Sequence, residues 1–263
     1  MKHVVHVSGG LCSFWNVGRV IDRFGVADTT FLFADTLAES DDLYRLLIDT
    51  EKHYSIKITR LTRGLTPWEL FRKEGMIGNS RSPLCSVKLK RELLDNWRAA
   101  NCDPDDTTVY IGYDWTEINR LEGLRLEVAP WQVEAPMCTW EPLWDKCKMS
   151  EELEALGIEL PLRYRQGFPH DNCNGECVRA GITQWVKLYH LDRAAFEHSE
   201  QEELKTRLEF AERGIDIEWA TMLKDRRGGV TKAMTLTTLR GRIESGEKMP
   251  LHEWGGCGCG TTN

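Results

Sequence analysis

A serine and two glycines near the N-terminus separate a short apolar run from an amphipathic segment. The run covers residues 3–7, Ser8-Gly9-Gly10 follows it, and apolar side chains then recur at helical spacing over residues 11–24. Glycines let a backbone turn tightly, and a helix N-terminus offers N–H donors and a partial positive charge. Ser8 and Ser13 add hydroxyl groups. The pattern predicts a loop that binds phosphate, with an ordinary strand-to-helix turn as the alternative.

Two common phosphate motifs do not fit this loop. A Walker A loop needs Gly-x4-Gly-Lys-Ser/Thr, and its lysine is missing here. The dinucleotide fingerprint needs Gly-x-Gly-x2-Gly, which the loop does not match either. Because the Walker lysine is absent, we expect any turnover of ATP to yield AMP and pyrophosphate rather than ADP and phosphate.

The loop resembles that of a known family. Ser8-Gly9-Gly10-Leu11-Cys12-Ser13 is similar to the Ser-Gly-Gly-x-x-Ser loop of the PP-loop ATP pyrophosphatases (adenine nucleotide alpha hydrolase-like), and the chain looks most like the branch that contains phosphoadenylyl-sulfate (PAPS) reductases. Three further segments resemble motifs of this branch in the same order: Phe33-Ala34-Asp35-Thr36, residues 81–90, and Gly112-x4-Glu117-x2-Arg120. The resemblance covers about residues 3 to 125.

This resemblance implies an enzyme that binds ATP with Mg²⁺. It implies nucleotide contacts from Ser8, Gly9, Gly10, Ser13, Asp35 and Thr36, and catalytic roles for Arg81, Lys90, Glu117 and Arg120. The chain departs from the family at Leu11-Cys12, where many members carry Lys-Asp. A phosphate-facing cation and a carboxylate suited to a metal are therefore both missing.

Simpler roles stay open for several of these residues. Asp35 follows an apolar run, where a carboxylate binds a ribose hydroxyl or a Mg²⁺-bound water, or merely caps a helix. Residues 81–98 carry five basic and two acidic side chains. This cationic patch suits a triphosphate or another polyanion, or is a solvated helix face. Glu117 and Arg120 also fit an ordinary surface ion pair.

Four of the nine cysteines lie in the C-terminal third, as Cys173-x3-Cys177 and Cys257-x-Cys259. Disulfides are rare in reducing compartments, and two thiolates on a glycine-containing turn can converge on one metal ion. We therefore predict a zinc site or a [4Fe-4S] cluster, with ligands drawn from Cys85, Cys173, Cys177, Cys257 and Cys259. Buried thiols and redox-active thiols are the alternatives.

The hydrophobic periodicity predicts the elements that position these residues. Strands are predicted at residues 3–7, 29–34, 55–61 and 107–113, with helices between them. This order implies a parallel sheet with right-handed crossovers. We expect an α/β fold with a Rossmann-like parallel sheet and helices on both faces in residues 1–148. A smaller Cys-rich, mostly helical region is expected in residues 149–263.

The composition excludes some classes of protein. Of the 263 residues, 41% are hydrophobic and 29% are charged, as in ordinary globular proteins. A net charge of −7 argues against general coating of nucleic acid, although a local basic patch is still compatible with it. Because no apolar run approaches the roughly 20 residues that span a bilayer, we expect a cytoplasmic protein without a membrane partner.

Three functions are compatible with the sequence. The first is an enzyme that adenylates a substrate in nucleic-acid modification or sulfur metabolism, acting on a nucleic acid or a small sulfur metabolite. The second is a non-catalytic protein that binds a nucleotide or a partner, and the third is a sulfonucleotide reductase with rearranged cysteines. The Glu-Cys-Gly-Leu-His type segment of the reductases is not found. The sequence leaves an oligomeric state open.

Overall fold

The computed structural model describes residues 1–250 and 252–255, which form two compact units. The first unit comprises Met1–Asp35, Glu39–Arg63 and Lys90–Asp171. The second comprises Thr36–Ala38, Gly64–Leu89 and the described residues from Asn172 onwards. The two units interleave along the sequence, and the domain boundary near residue 148 stays a prediction.

The described residues form strands and helices in alternation through the first unit. The strands are β1 (Lys2–His6), β2 (Thr29–Asp35), β3 (Ile58–Thr62), β4 (Thr107–Tyr110), β5 (Gln132–Glu134), β6 (Leu223–Asp225) and β7 (Lys232–Met234). The α-helices are α1 (Leu11–Phe24), α2 (Asp41–Tyr54), α3 (Pro67–Glu74), α4 (Glu92–Asn101), α5 (Ile118–Glu127), α6 (Pro136–Thr139), α7 (Lys146–Ala155), α8 (Leu162–Arg165), α9 (Ile182–Leu191), α10 (Arg193–Glu212) and α11 (Leu236–Glu244). A π-helical turn at Ser86–Arg91 precedes α4.

The sheet of the first unit has the order β3-β2-β1-β4-β5, and all of its neighbouring strands are parallel. The chain adds β2 and β3 on one side of β1 and then β4 and β5 on the other. The strand order therefore reverses between β1 and β4. The fold class predicted from the sequence, a parallel α/β sheet flanked by helices, is confirmed.

Apolar side chains from the strands and helices form the core of this unit. Val5 on β1, Val17 on α1, Phe33 on β2, Leu43 on α2 and Tyr110 on β4 are at most 2% exposed. Burial of one such side chain contributes about 1.5–3 kcal/mol to folding. The apolar runs that predicted the strands are therefore also what hold the sheet and helices together.

Local conformation explains two differences from the predicted elements. The third strand begins at Ile58 because Ser55 adopts a left-handed conformation (φ 52°) that ends α2. The strand β5 was not predicted, since three residues between Pro130 and Pro136 are too few to show an alternating pattern. The sheet thus has one more strand than the periodicity indicates.

The second unit is mostly helical and also contains the antiparallel hairpin of β6 and β7. At the start of α3, the Thr66 hydroxyl accepts from the Glu69 N–H while the Glu69 carboxylate accepts from the Thr66 N–H, which together form a capping box. On α10, Glu203 is 1% exposed and accepts the N–H groups of Met222 and Leu236 at 2.6 Å each. Burial raises the pKa of Glu203 to about 7.

No helix in the described part of the chain is both long and apolar enough to cross a membrane.

Candidate phosphate-binding site

The loop of residues 8–13 leaves the carboxyl end of β1, where the strand order reverses. The segment after β4 lies directly against it, since a Cβ atom at Gly112 would be 2.9 Å from Cα of Ser13. Only a glycine permits this close approach. In open parallel sheets, ligands bind in the crevice at such a reversal point. The loop predicted from the sequence therefore occupies the position of a ligand site.

The loop uses some of its N–H donors internally. The Ser8 N–H donates to Oγ of Ser13 at 2.9 Å, and the Gly10 N–H donates to Oγ of Ser8 at 3.3 Å. Within the described residues, the N–H groups of Gly9 and Cys12 have no hydrogen-bond acceptor. Both serines therefore shape the loop, while two backbone donors remain for a ligand.

The N-terminus of α1 adds a positive potential to these donors. Gly10 at its N-cap makes no side-chain cap, and the first turn contains no acidic residue. By contrast, Ser40 and Asp145 cap α2 and α7 through their side chains. The partial charge of about +0.5 at a helix N-terminus is thus not compensated by a side chain at α1. This arrangement favours an anion.

Tyr164, just ahead of the end of α8, is a residue of this site that the sequence analysis did not identify. Its hydroxyl lies 3.4 Å from the backbone nitrogen of Leu11 and would lie 3.2 Å from a Cβ atom at Gly10. The contact joins residues 153 positions apart in the sequence, and no local motif marks it. In this structure, the Tyr164 hydroxyl covers part of the loop.

The Cys12 side chain does not replace the missing acid of the family motif. Burial raises the pKa of the Cys12 thiol to about 12, and the nearby Asp114 carboxylate adds to the rise. The group is therefore a neutral thiol at pH 7. It offers neither the negative charge of a metal-binding carboxylate nor the thiolate of a nucleophilic cysteine.

Asp35 lies at the carboxyl end of β2, as predicted, and is 7% exposed. The hydroxyl of Tyr44 on α2 donates to its Oδ1 at 2.7 Å. Burial and this hydrogen bond raise the pKa of Tyr44, so the phenol stays protonated. Thr36, the next residue, is 1% exposed and belongs to the second unit.

Lys90 forms an ion pair that the sequence analysis did not identify. Its Nζ is 2.9 Å from Oε1 of Glu39, whose side chain has no exposed surface. A buried carboxylate is strongly destabilising without a cationic partner. The charge of Lys90 is therefore largely compensated within the protein.

Glu117 and Arg120, which are also predicted to be catalytic, form an ion pair with each other. The guanidinium of Arg120, on α5, lies 4.4 Å from the centre of the Tyr113 ring. Glu117 also accepts the N–H of Asp114, which forms a capping box in the turn before α5. Arg81 belongs to the second unit and is exposed. The catalytic roles of all four residues stay predictions.

The side chains of Trp131, Trp140 and Trp144 pack within the first unit. The Trp140 indole donates to Glu134 at 2.9 Å, and Trp144 meets Trp15 edge to face. Trp131 lies 4.6 Å from the guanidinium of Arg98. These contacts give the three rings a packing role.

Three of the five cysteines predicted to bind a metal belong to the described residues, and all three lie in the second unit. Cys85 and Cys177 are buried, and Cys173 adopts a left-handed conformation (φ 51°) in the turn Asn172–Gly175. Within residues 1–250 and 252–255, no group of three or more His, Cys, Asp or Glu side chains has an arrangement that could hold a metal ion. Cys257 and Cys259 lie outside the described residues. The predicted centre therefore remains a prediction.

No family model matches the chain, and no curated protein matches it. Among solved structures, the chain is similar to a phosphoadenylyl-sulfate (PAPS) reductase from Candida auris in a phosphate complex. The similarity has a TM-score of 0.44 and 14% sequence identity, and it covers 64% of this chain and 79% of the reductase chain.

Proposed function

We propose that the first unit binds ATP through residues 8–13 and that the protein is an ATP pyrophosphatase that adenylates a substrate. One observation carries the proposal: the uncapped N-terminus of α1 and the unused N–H donors of Gly9 and Cys12 meet where the strand order of a parallel sheet reverses. Phosphate groups are the ligands that such a helix N-terminus binds best.

The proposed reaction is a displacement at the α-phosphate. A substrate oxygen forms a bond to the α-phosphorus, the bond to the bridging oxygen breaks, and pyrophosphate leaves with the electron pair. The N–H donors of the loop and the positive end of α1 stabilise the charge that develops on the pyrophosphate. A sulfur or nitrogen nucleophile then displaces AMP from the adenylated substrate.

Magnesium fits this site as an ion carried by the nucleotide. Mg²⁺ keeps several waters and is usually held by substrate phosphates with one or two carboxylates. Asp35 supplies a carboxylate at the carboxyl edge of the sheet, and Tyr44 fixes one of its oxygens. When bound, the ion would neutralise part of the phosphate charge, which matters in a loop without the usual lysine.

The resemblance to the PP-loop family favours two classes of acceptor, a nucleic acid and a small sulfur metabolite. The packing of Trp131, Trp140 and Trp144 against neighbouring side chains gives no support to stacking of a nucleic-acid base on these rings. The adenylation chemistry is the same for both classes. Pyrophosphate release with each class of acceptor separates them.

A non-catalytic nucleotide-binding protein is the second candidate. It is favoured by Leu11 in place of the family lysine, by the neutral thiol of Cys12 and by the pairing of Lys90 with Glu39. This protein would bind ATP with the same loop but would not cleave it. ATP binding without turnover, with every acceptor tested, would select this candidate.

The loop is tested by ATP calorimetry on the Gly10→Val variant. The added side chain would lie close to the Tyr164 hydroxyl and fill space that the phosphates need beside the loop. We therefore expect ATP affinity to fall at least tenfold. The matched control is Gly123→Val on α5, because a Cβ atom at Gly123 meets no atom within 4 Å. Equal affinities in all three proteins would remove the loop from the proposal.

The reaction is tested separately by resolving the products of labelled ATP. We expect AMP and pyrophosphate, because the loop lacks the lysine that supports transfer of the γ-phosphate. Formation of ADP would contradict the assignment.

We further propose that Cys173 and Cys177 hold a zinc ion or a [4Fe-4S] cluster together with Cys85, Cys257 or Cys259. The support is the bridge between Ala180 and Gly255, which fixes the end of the described chain. Cys177 precedes Ala180 by three residues, and Cys257 follows Gly255 by two. In the sequence, each cysteine pair therefore lies within a few residues of one of the two bridged residues.

Anaerobic purification followed by metal analysis tests this centre. Thiolate ligation couples to folding, so Cys173→Ser and Cys177→Ser should each lower both the metal content and the melting temperature. The control is Cys147→Ser, which changes an exposed cysteine of the first unit. Absorption near roughly 400 nm would identify an iron–sulfur cluster. Wild-type protein with less than about 0.1 equivalent of zinc or iron would contradict the proposal.

A further inference from the structure

A cavity of about 230 Å³ lies within the second unit. Its wall includes three basic side chains, Arg179, Lys224 and Arg226, and one acidic side chain, Glu253. The excess of positive charge contrasts with the net charge of −7 of the whole chain. The cavity therefore has the charge of an anion site.

Asp225 at the end of β6 pairs with two cations that do not line the cavity. Asp225 binds Arg227 at 2.7 Å and Arg242 at 3.0 Å. Lys224 and Arg226, one residue to either side of Asp225, line the cavity together with Met222 and Leu223. Neither forms an ion pair with a described carboxylate, and Nζ of Lys224 lies 5.6 Å from the centre of the Trp219 ring. Two cations that form no ion pair with a described carboxylate thus line the cavity.

Neutral donors line the cavity beside these cations. Oδ1 of Asn79 accepts the N–H groups of Arg81 and Ser82 at 2.9 and 3.1 Å, which fixes the orientation of the amide. Asn79 and Ser80 both line the cavity, so an amide NH₂ group and a hydroxyl belong to its wall residues. The helix α9 also begins here with Gly181 at its N-cap, and the Thr183 N–H in its first turn donates to the Glu253 carbonyl at 3.1 Å.

We propose that this cavity binds a small oxyanion with two negative charges, inorganic phosphate or sulfate, free or as the end group of a small molecule. Hydroxyl, amide and guanidinium donors together match the oxygens of such a group. The volume of about 230 Å³ is below the roughly 300 Å³ at which pockets for drug-sized ligands begin, and it fits a single oxyanion group. The site is built from other residues than the ATP loop, and it goes beyond the function proposed above.

Calorimetry with phosphate and with sulfate tests the proposal on the full chain. We expect Lys224→Met and Arg226→Met each to weaken anion binding about tenfold, which is the effect of losing one charge-assisted hydrogen bond. The matched control is Lys232→Met on β7. Lys232 pairs with Asp225 in the hairpin register and so lies on the face away from Lys224. This control removes the same charge from the same hairpin and should bind the anions as wild type does.

Two further measurements distinguish this site from the ATP loop and from a nucleic-acid surface. The Gly10→Val variant should bind phosphate as wild type does even where it loses ATP. Loss of phosphate binding in Gly10→Val, with binding kept in Lys224→Met, would place the anion at the loop and overturn the proposal. Failure of wild type to bind either anion would overturn it as well. The proposal would also be overturned if Lys224→Met weakened the binding of a single-stranded oligonucleotide but left phosphate and sulfate binding unchanged.

Discussion

Replacing Gly9 by alanine tests whether the backbone conformation of the loop creates the phosphate site. Gly9 has a φ of +76°, a region that costs a residue with a Cβ atom about 1–2 kcal/mol. The new Cβ atom would also lie 2.4 Å from Cδ2 of Leu43, which is fully buried, so the Leu43 side chain would have to shift within the core. Overpacking of this kind costs about 1–3 kcal/mol. Together these effects should lower the free energy of unfolding of the first unit by about 2–5 kcal/mol.

Urea unfolding followed by circular dichroism measures this loss, and two further variants separate its causes. Gly157→Ala has the same unfavourable backbone conformation (φ +75°) with no atom within 4 Å of the new Cβ atom, so it should lose only about 1–2 kcal/mol. In a Leu43→Ala background the overlap disappears, and the cost of Gly9→Ala should fall by about 1–3 kcal/mol.

The results that refute this reasoning are specific. Equal losses for Gly9→Ala and Gly157→Ala would show that contact with Leu43 is unimportant. An unchanged stability for Gly9→Ala would show that the loop tolerates a side chain at this position. If Gly9→Ala remains folded, its ATP affinity should fall, because the Gly9 N–H would no longer point toward the ligand.

Three further predictions follow from contacts that only the fold creates. Tyr164→Phe removes the hydroxyl that competes for the Leu11 N–H, so ATP affinity by calorimetry should rise about two- to fivefold; a fall would mean that the hydroxyl binds the nucleotide. Lys90→Met removes the cation beside the buried carboxylate of Glu39, so the free energy of unfolding should fall by about 3–5 kcal/mol, and the double variant Glu39→Met/Lys90→Met should recover most of this loss. A folded double variant that still releases pyrophosphate would exclude a catalytic role for Lys90. The pKa of Glu203 is raised from 4.5 to about 7 by burial, so the stability due to its protonated form is present below pH 4.5 and is lost as the pH rises through about 7. Glu203→Gln should flatten this part of the pH profile in urea unfolding, whereas Glu212→Gln, an exposed control on the same helix, should keep the wild-type slope.

The sequence predicted those parts of the fold and site that depend on neighbouring residues. The strand, loop and helix around Ser8-Gly9-Gly10 are visible because apolar periodicity and glycine conformations are local properties. The capping box at Thr66 and Glu69 is local in the same way. The strand β5 was missed because three residues carry too little pattern, although pairing with β4 supplies the hydrogen bonds that make it a strand.

By itself, then, the sequence determined a parallel α/β fold with a glycine-containing loop between the first strand and the first helix, and phosphate binding by this loop stays a prediction. The tertiary structure alone decided that this loop lies at the reversal of the strand order, with Gly112 packed against it and Tyr164 above it. It also paired Lys90 with Glu39 and gathered Arg179, Lys224 and Arg226 around one cavity. The physical reason is that hydrogen bonds, ion pairs and cavities depend on distances in space. Residues 153 positions apart, such as Leu11 and Tyr164, meet only after the chain has packed.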